Sequence, residues 1–203
     1  MIRIIGGRLR GRRLYVPPGR VVRPTAERLR QALFDMLAHA PWAAPGLGGA
    51  RVADVFAGSG AFGLEALSRG AAEALFIEKH PAVLRVLARN VEALGLEAQA
   101  RLLRADACHP PPAPLPADLL FLDPPYGEGL AAPALTALAA RGWLHRESLV
   151  IIEIGEEEAA PSLPLAWITE RRHGAGRVLI GRPVSGRGGF PALPGRSGAA
   201  GAS

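Results

Sequence analysis

The sequence predicts a doubly wound α/β fold: a mostly parallel seven-stranded sheet with an antiparallel last strand, preceded by an N-terminal β-hairpin and helix. Three observations predict it. Between residues 51 and 154, apolar runs of strand length alternate with stretches of helical period, as in a parallel sheet covered on both faces. A glycine-rich junction, Gly58-Ser59-Gly60-Ala61-Phe62-Gly63, joins the first of those strands to its helix. Near the end, two β-prone runs flank Arg171-Arg172-His173-Gly174-Ala175-Gly176, a spacing suited to a hairpin.

Taken in order, residues 2–5 and 12–16 are short β-prone runs around Gly6-Gly7-Arg8-Leu9-Arg10-Gly11, a hairpin with arginines on its tip. Pro17-Pro18-Gly19 ends it. Arg23-Pro24-Thr25 then leads into an amphipathic helix with Thr25 as N-cap. Leu29, Ala32, Leu33, Met36 and Leu37 form its apolar stripe, and Arg28, Arg30 and Gln31 fall outside it. Residues 41–49 read as a linker. Strands are expected over 51–56, 74–77, 100–104, 119–122, 148–154, 165–170 and 177–180. Helices are expected over 61–69, stopped by Gly70, from Pro81 to a Gly95 cap, and over 131–141. Residues 110–116 form a proline-rich loop, and Glu156-Glu157-Glu158 a solvated helix start. The chain thus divides into an extension (1–40), a body (41–183) and a Gly/Pro/Ala-rich tail (184–203) expected to be disordered.

With 203 residues, 49% of them apolar and 21% charged, the chain has material for one real core and lacks the composition of a disordered protein. No apolar run approaches bilayer length, and residues 1–8 lack the apolar stretch of a secretory signal, so a cytoplasmic protein is expected. The single Cys108 excludes an internal disulfide. The net charge of +6 is unevenly placed: residues 1–30 hold nine arginines against Glu27 alone, a net of +8, while residues 31–183 carry −4. Codon bias accounts for arginine over lysine, but not for an arm almost without acids. The arm, through Arg8, Arg10, Arg12, Arg13 and Arg23, is expected to meet a polyanion.

The Gly58–Gly63 junction formally matches a dinucleotide fingerprint, with Glu78 20 residues past Gly58. Asp54 argues against that ligand, because a carboxylate beside a pyrophosphate repels it. S-adenosylmethionine carries an ammonium and a sulfonium and no phosphate, so Asp54 suits it. Glu78 can accept both ribose hydroxyls, and Asp106 the adenine amine; these three acids end successive strands. Asp123-Pro124-Pro125-Tyr126 ends a further strand at the same edge. An exocyclic base amine is a poor nucleophile because its lone pair is conjugated with the ring. Asp123 can accept one of its N–H groups, the Pro124 carbonyl held by Pro125 the other, and Tyr126 can stack on the base. Such a base must be unpaired or flipped to reach the pocket.

In these residues the chain resembles the bacterial 16S ribosomal RNA guanine-N2 methyltransferase D family (RsmD), within the class I methyltransferases. The resemblance runs from Met1 to about Arg182 and rests on Ile4-Ile5-Gly6-Gly7, Arg23-Pro24-Thr25, the Asp54–Gly60 segment, Asp123-Pro124-Pro125-Tyr126 and the hairpin around Gly174. It implies the class I strand order and methylation of one guanine in 16S rRNA, within the small ribosomal subunit or a late assembly intermediate. It implies a cofactor site of Thr25, Arg28, Asp54, Phe56, Gly58 and Ser59, continued by Gly60, Glu78, Lys79, Asp106 and Ala107. A monomer with no membrane association is expected. No metal is expected, since Cys108-His109 has no further ligands at zinc spacing. Arg171, Arg172 and His173 read equally as phosphate contacts or an exposed hairpin. The alternatives are a DNA adenine-N6 methyltransferase, which shares the Asp-Pro-Pro-Tyr tetrad, and an RNA-binding assembly factor without catalysis.

Overall fold

A computed structural model describes residues 2–17, 24–43, 46–125, 127–173 and 176–184. Arg23, Tyr126, Gly174 and the tail from residue 185 lie outside these. Two short antiparallel strands, β1 (Ile2–Arg3) and β2 (Arg13–Leu14), flank a turn of 3-10 helix over Gly7–Leu9 and precede α1 (Pro24–His39). The body follows as β3 (Arg51–Val55), α2 (Ala61–Ser68), β4 (Glu73–Glu78), α3 (Pro81–Leu94), β5 (Ala100–Arg104), β6 (Ala117–Leu122), α4 (Ala131–Ala140), β7 (Leu144–Gly155), β8 (Leu165–His173) and β9 (Gly176–Pro183). The sheet order is β5-β4-β3-β6-β7-β9-β8. The first five strands in that order are parallel, and β9 is antiparallel to both β7 and β8. The order reverses between β3 and β6, which opens a crevice at their C-terminal ends where α/β sheets bind ligands.

Alternate residues along each strand feed opposite layers of the core. Val52, Phe76, Leu119, Phe121, Ile151 and Val178 pack in the layer that also holds the buried residues of α1, α2 and α3. Ala53, Val55, Ile77, Leu120, Leu122 and Ile152 face the layer of α4, which contributes Ala131, Ala134, Leu135 and Leu138. By the same alternation Asp54, Glu78, Asp123 and Glu153 continue the first set toward the C-terminal edge.

The N-terminal hairpin is bolted to α2. Glu65, fully buried, accepts the backbone N–H groups of Ile5 and Gly6 at 2.7 Å each and the Nε–H of Arg69 at 2.7 Å. Arg30 stands 4.0 Å from it and donates to the Arg3 carbonyl at 2.7 Å. Burial lowers the pKa of Arg30, with Glu65 and then Glu27 opposing that shift. Ser68 Oγ donates to the Gly6 carbonyl and accepts the Leu9 N–H. Ile4 and Leu14 complete the seam within the first core layer.

Several expectations need correction. Arg30 is 4% exposed, not on the outer face of α1: the stripe is Leu29, Arg30, Leu33, Phe34 and Leu37, whereas Ala32 is exposed. Glu65 supplies the counter-charge that lets a guanidinium replace an apolar side chain there. The helix starts at Pro24, so Thr25 lies in its first turn rather than capping it. β7 begins four residues early, at Leu144, because the buried Leu144 pairs with Ala117 before a register shift, and hydrogen bonds carry the polar residues that follow. Ser148 Oγ accepts the His145 N–H and donates to the Ala117 carbonyl. β8 and β9 form the expected hairpin, but β8 runs on through Arg171 and Arg172 to His173, beyond the expected end at residue 170. Glu156–Glu158 forms a turn, not a helix start; Arg172 donates to Glu156 at 3.1 Å.

Candidate active site

After β3 the chain turns sharply. Phe56 adopts φ 60°, in the left-handed region that non-glycine residues rarely enter. Gly60 follows at φ 79°, and a Cβ there would strike the Leu87 side chain and come within 3.2 Å of the Phe76 ring. Glycine is therefore required both for the turn and for the close approach of α3. The loop is pinned from three sides. Asp54 Oδ2 accepts the Gly63 N–H at 2.8 Å, so the buried carboxylate holds the first turn of α2. Glu78 accepts the Gly58 N–H at 3.2 Å and the His80 N–H at 2.8 Å. Asn90, buried on α3, donates to the Ser59 carbonyl at 2.9 Å.

The same Asn90 accepts the Tyr15 N–H at 2.7 Å and donates to the Tyr15 carbonyl at 2.9 Å, tying the exit of the N-terminal hairpin to the glycine loop. The Arg89 guanidinium covers the Tyr15 ring at 3.7 Å.

Glu78 lies level with Arg104 in the β4–β5 ladder, so Asp106 follows just beyond β5 at the same edge. Its carboxylate accepts the Cys108 N–H at 2.9 Å and lies 3.3 Å from His109 Nδ1. The Cys108 N–H holds the Asp106 carboxyl below its usual range against the opposing effect of burial, and His109 adds to the lowering. The Cys108 thiol is pushed up by burial and then by Asp106. Lys79 is exposed and Ala107 buried beside these acids. The edge thus presents one carboxylate per strand and backbone donors at the glycine loop. That donor set fits a cationic ligand bearing a ribose and a base, such as S-adenosylmethionine. A carboxylate has room for about four hydrogen bonds, so Glu78 can keep its two and accept ribose hydroxyls as well.

Asp123 follows β6 and donates its backbone N–H to the Val55 carbonyl at 3.3 Å, which docks the Asp-Pro-Pro corner against the end of β3. Its side chain is half-buried, Pro124 is buried and Pro125 exposed. Asp123 lines a pocket with Leu33, Phe62, Phe121, Glu153 and Val178. The structure therefore gathers Asp54, Phe56, Gly58, Ser59, Gly60, Glu78, Asp106 and Asp123 along one edge. Arg28 is exposed on α1, and of Thr25 only the backbone is described. Arg8, Arg10, Arg12 and Arg13 are all exposed on the hairpin. Arg8 donates to Gln99 Oε1 at 2.7 Å and Arg12 to the Ala93 carbonyl, so both also anchor the tip to the body.

Sequence reasoning passed over Asn90, Glu65 and Glu153. Each left a trace. Asn90 is a polar residue three positions after Leu87 on the apolar face of α3, Glu65 lies within the short apolar helix α2, and Glu153 interrupts the apolar run Leu149 to Ile154. Among the described residues no group of three or more His, Cys, Asp or Glu is placed to hold a metal ion, and no helix is long and apolar enough to cross a membrane.

A family model described as conserved hypothetical protein 95 matches residues 2–181. The ribosomal RNA small subunit methyltransferase D of Escherichia coli K12 is 40% identical over 178 residues, which cover 87% of this chain and 86% of that one. The protein of the same name from Haemophilus influenzae is 34% identical over 77% of this chain and 80% of its own. A solved structure from Escherichia coli with a provisional methyltransferase name superposes with a TM-score of 0.76 at 38% identity, covering 91% of this chain and 99% of that one.

Proposed function

The chain belongs to the family of the ribosomal RNA small subunit methyltransferase D, and on that premise we propose that it methylates the exocyclic N2 amine of one guanine in 16S rRNA, with S-adenosylmethionine as donor. The observation that carries this reading is the Asp123-Pro124-Pro125 corner, docked on Val55 beside a glycine loop lined with carboxylates. When bound, S-adenosylmethionine supplies an electrophilic methyl group on a sulfonium, a good leaving group. Asp54, Glu78 and Asp106 hold that ligand. Asp123 accepts one N–H of the guanine amine and the Pro124 carbonyl the other, which draws the nitrogen out of conjugation and aims its lone pair. As nitrogen gains the methyl and becomes cationic, the Asp123 carboxylate is placed to stabilise the charge and take the proton. Catalysis on this account is positioning and electrostatics.

The deciding assay offers labelled S-adenosylmethionine with small ribosomal subunits lacking the modification, naked rRNA, duplex DNA and protein. Label is expected in the subunits, recovered on digestion as N2-methylguanosine. Label in DNA as N6-methyladenine, or in no substrate at all, would overturn the reading in favour of one of the two alternatives.

Two further outcomes follow from particular residues. Glu78→Ala should weaken binding of S-adenosylmethionine by about 1–3 kcal/mol, the loss of charge-assisted hydrogen bonds to ribose compounded by release of the Gly58 and His80 N–H groups. Calorimetry reads this directly, and tight NAD binding by the parent in the same cell would contradict the ligand assignment. The arm should bind rRNA phosphates. Replacing Arg8, Arg10, Arg12 and Arg13 by Gln is expected to weaken subunit binding and flatten its salt dependence by about three to four contact units. Because Arg8 and Arg12 also anchor the tip, Tm is measured alongside. A quadruple variant with the parent's affinity and salt slope would strip the arm of that role.

A further inference from the structure

A second carboxylate stands beside Asp123, and the chemistry above leaves it unused. β6 and β7 run parallel with Leu122 opposite Ile152, so Asp123 and Glu153 follow at the same level on neighbouring strands. Alternation places both on the face of Phe121 and Ile151. They line one pocket, whose other walls are apolar: Leu33, Phe62, Phe121 and Val178 among them. Phe62 stacks on Phe121 with centroids 5.2 Å apart, and Phe34 packs against Phe121 at 5.7 Å. These apolar walls can satisfy no polar atom on the edge of a ligand that reaches the two carboxylates.

Asp123 and Glu153 each have a partner within the protein. A carboxylate accepts up to about four hydrogen bonds, so a ligand edge can join those partners. Two carboxylates side by side against apolar walls select an edge made of donors, because an acceptor buried against them would be both unpaired and repelled. The nucleobases differ in this respect. Guanine carries N1–H directly beside its N2 amine. Adenine carries a bare N1 acceptor beside its N6 amine, and cytosine a bare N3 beside its N4 amine.

We propose that Glu153 determines the choice of base: its carboxylate accepts N1–H of the target guanine while Asp123 and the Pro124 carbonyl take the N2 amine. The inference rests on the guanine-N2 reading and adds to it the residue that rejects adenine and cytosine. Glu153 touches the ring nitrogen next to the reacting amine, so its removal alters which base is accepted rather than the chemistry at the amine itself.

The test uses an analogue that keeps the amine and removes the proton on N1. The methylated nucleotide is first mapped by mass spectrometry on subunits treated with the unmodified enzyme. Small subunits are then reconstituted with ligated 16S rRNA carrying guanine or 2-aminopurine at that position. The unmodified enzyme should prefer guanine by at least ~100-fold in kcat/KM, as sites built around a specific hydrogen bond do. Glu153→Gln, whose amide can donate to a bare N1, should shrink that preference to less than about tenfold. Affinity for S-adenosylmethionine, which Glu153 does not serve, should be unchanged and reports that the variant is folded. The same preference is also measured as subunit-binding affinity, so a variant without turnover still answers. A Glu153→Gln ratio equal to that of the unmodified enzyme, with N2-methylguanosine still the product, overturns the assignment of Glu153 alone. A product other than N2-methylguanosine from the unmodified enzyme overturns the guanine-N2 reading and this inference with it.

Discussion

Replacing Asp123 by alanine is expected to slow single-turnover methyl transfer by at least ~100-fold while leaving affinity for S-adenosylmethionine almost unchanged. The reason is where the interaction grows. In the ground state the amine is neutral and its hydrogen bond to the carboxylate is an ordinary one. In the transition state the nitrogen acquires positive charge, and the bond becomes charge-assisted. Only the difference accelerates the reaction. A hundredfold is about 2.7 kcal/mol, within the ~1.5–3 kcal/mol that a hydrogen bond to a charged group is worth. The substitution keeps the bond to the Val55 carbonyl, which comes from the Asp123 backbone. A quench-flow measurement at saturating donor and subunit isolates the chemical step. An alanine variant retaining most of the parent's rate would take Asp123 out of the reaction.

Glu65→Ala should destabilise the fold by about 3–5 kcal/mol, the usual consequence of removing one partner of a buried charge pair. The effect concentrates at one seam. Without the carboxylate, the Ile5 and Gly6 N–H groups lose their acceptor, and Arg30 and Arg69 lose their counter-ion in a buried setting. The urea midpoint should fall with little change in slope, and amide exchange should rise first in residues 2–14. Glu65→Gln, which keeps an acceptor oxygen but not the charge, should fall between parent and alanine. An alanine variant as stable as the parent would mean that Ile4, Leu14 and the bonds to Ser68 and Asn90 hold the hairpin without Glu65.

Much of the fold was legible because its strands are nearly continuous apolar runs and its helices carry clear stops. Gly95, predicted as a cap, sits at φ 67° at the end of α3, and Pro81 occupies the first turn. Glu78 and Asp123 were legible for the same reason: each closes an apolar run where the chain must turn. What escaped was polar material inside the core. Arg30 and Glu65 are individually the wrong residues for their positions and become acceptable only as a pair, across 35 residues of sequence. No local pattern encodes that pairing. β7 escaped at its start because buried Leu144 is followed by polar residues, His145 to Ser148, whose place in the strand rests on the Ser148 bonds to the His145 N–H and the Ala117 carbonyl. Asp123 could be read from its tetrad, whereas Glu153 acquires meaning only from the β6–β7 register, which is a tertiary fact.

The continuation of β8 through Arg171 and Arg172 bears on how the protein behaves among its own copies. The sheet ends in β5 on one side and β8 on the other. Each terminal strand presents backbone groups to which a foreign strand could add. β8 carries exposed Glu170, Arg171 and Arg172 near its end and an irregular register between Trp167 and Thr169. β5, only five residues long, begins and ends its charged residues with exposed Arg101 and Arg104. A second sheet pairing at either margin would have to strip water from those side chains and match a bent ladder. The charges on the rim therefore oppose edge-to-edge pairing independently of any ligand, and neutral substitutions there would weaken that opposition.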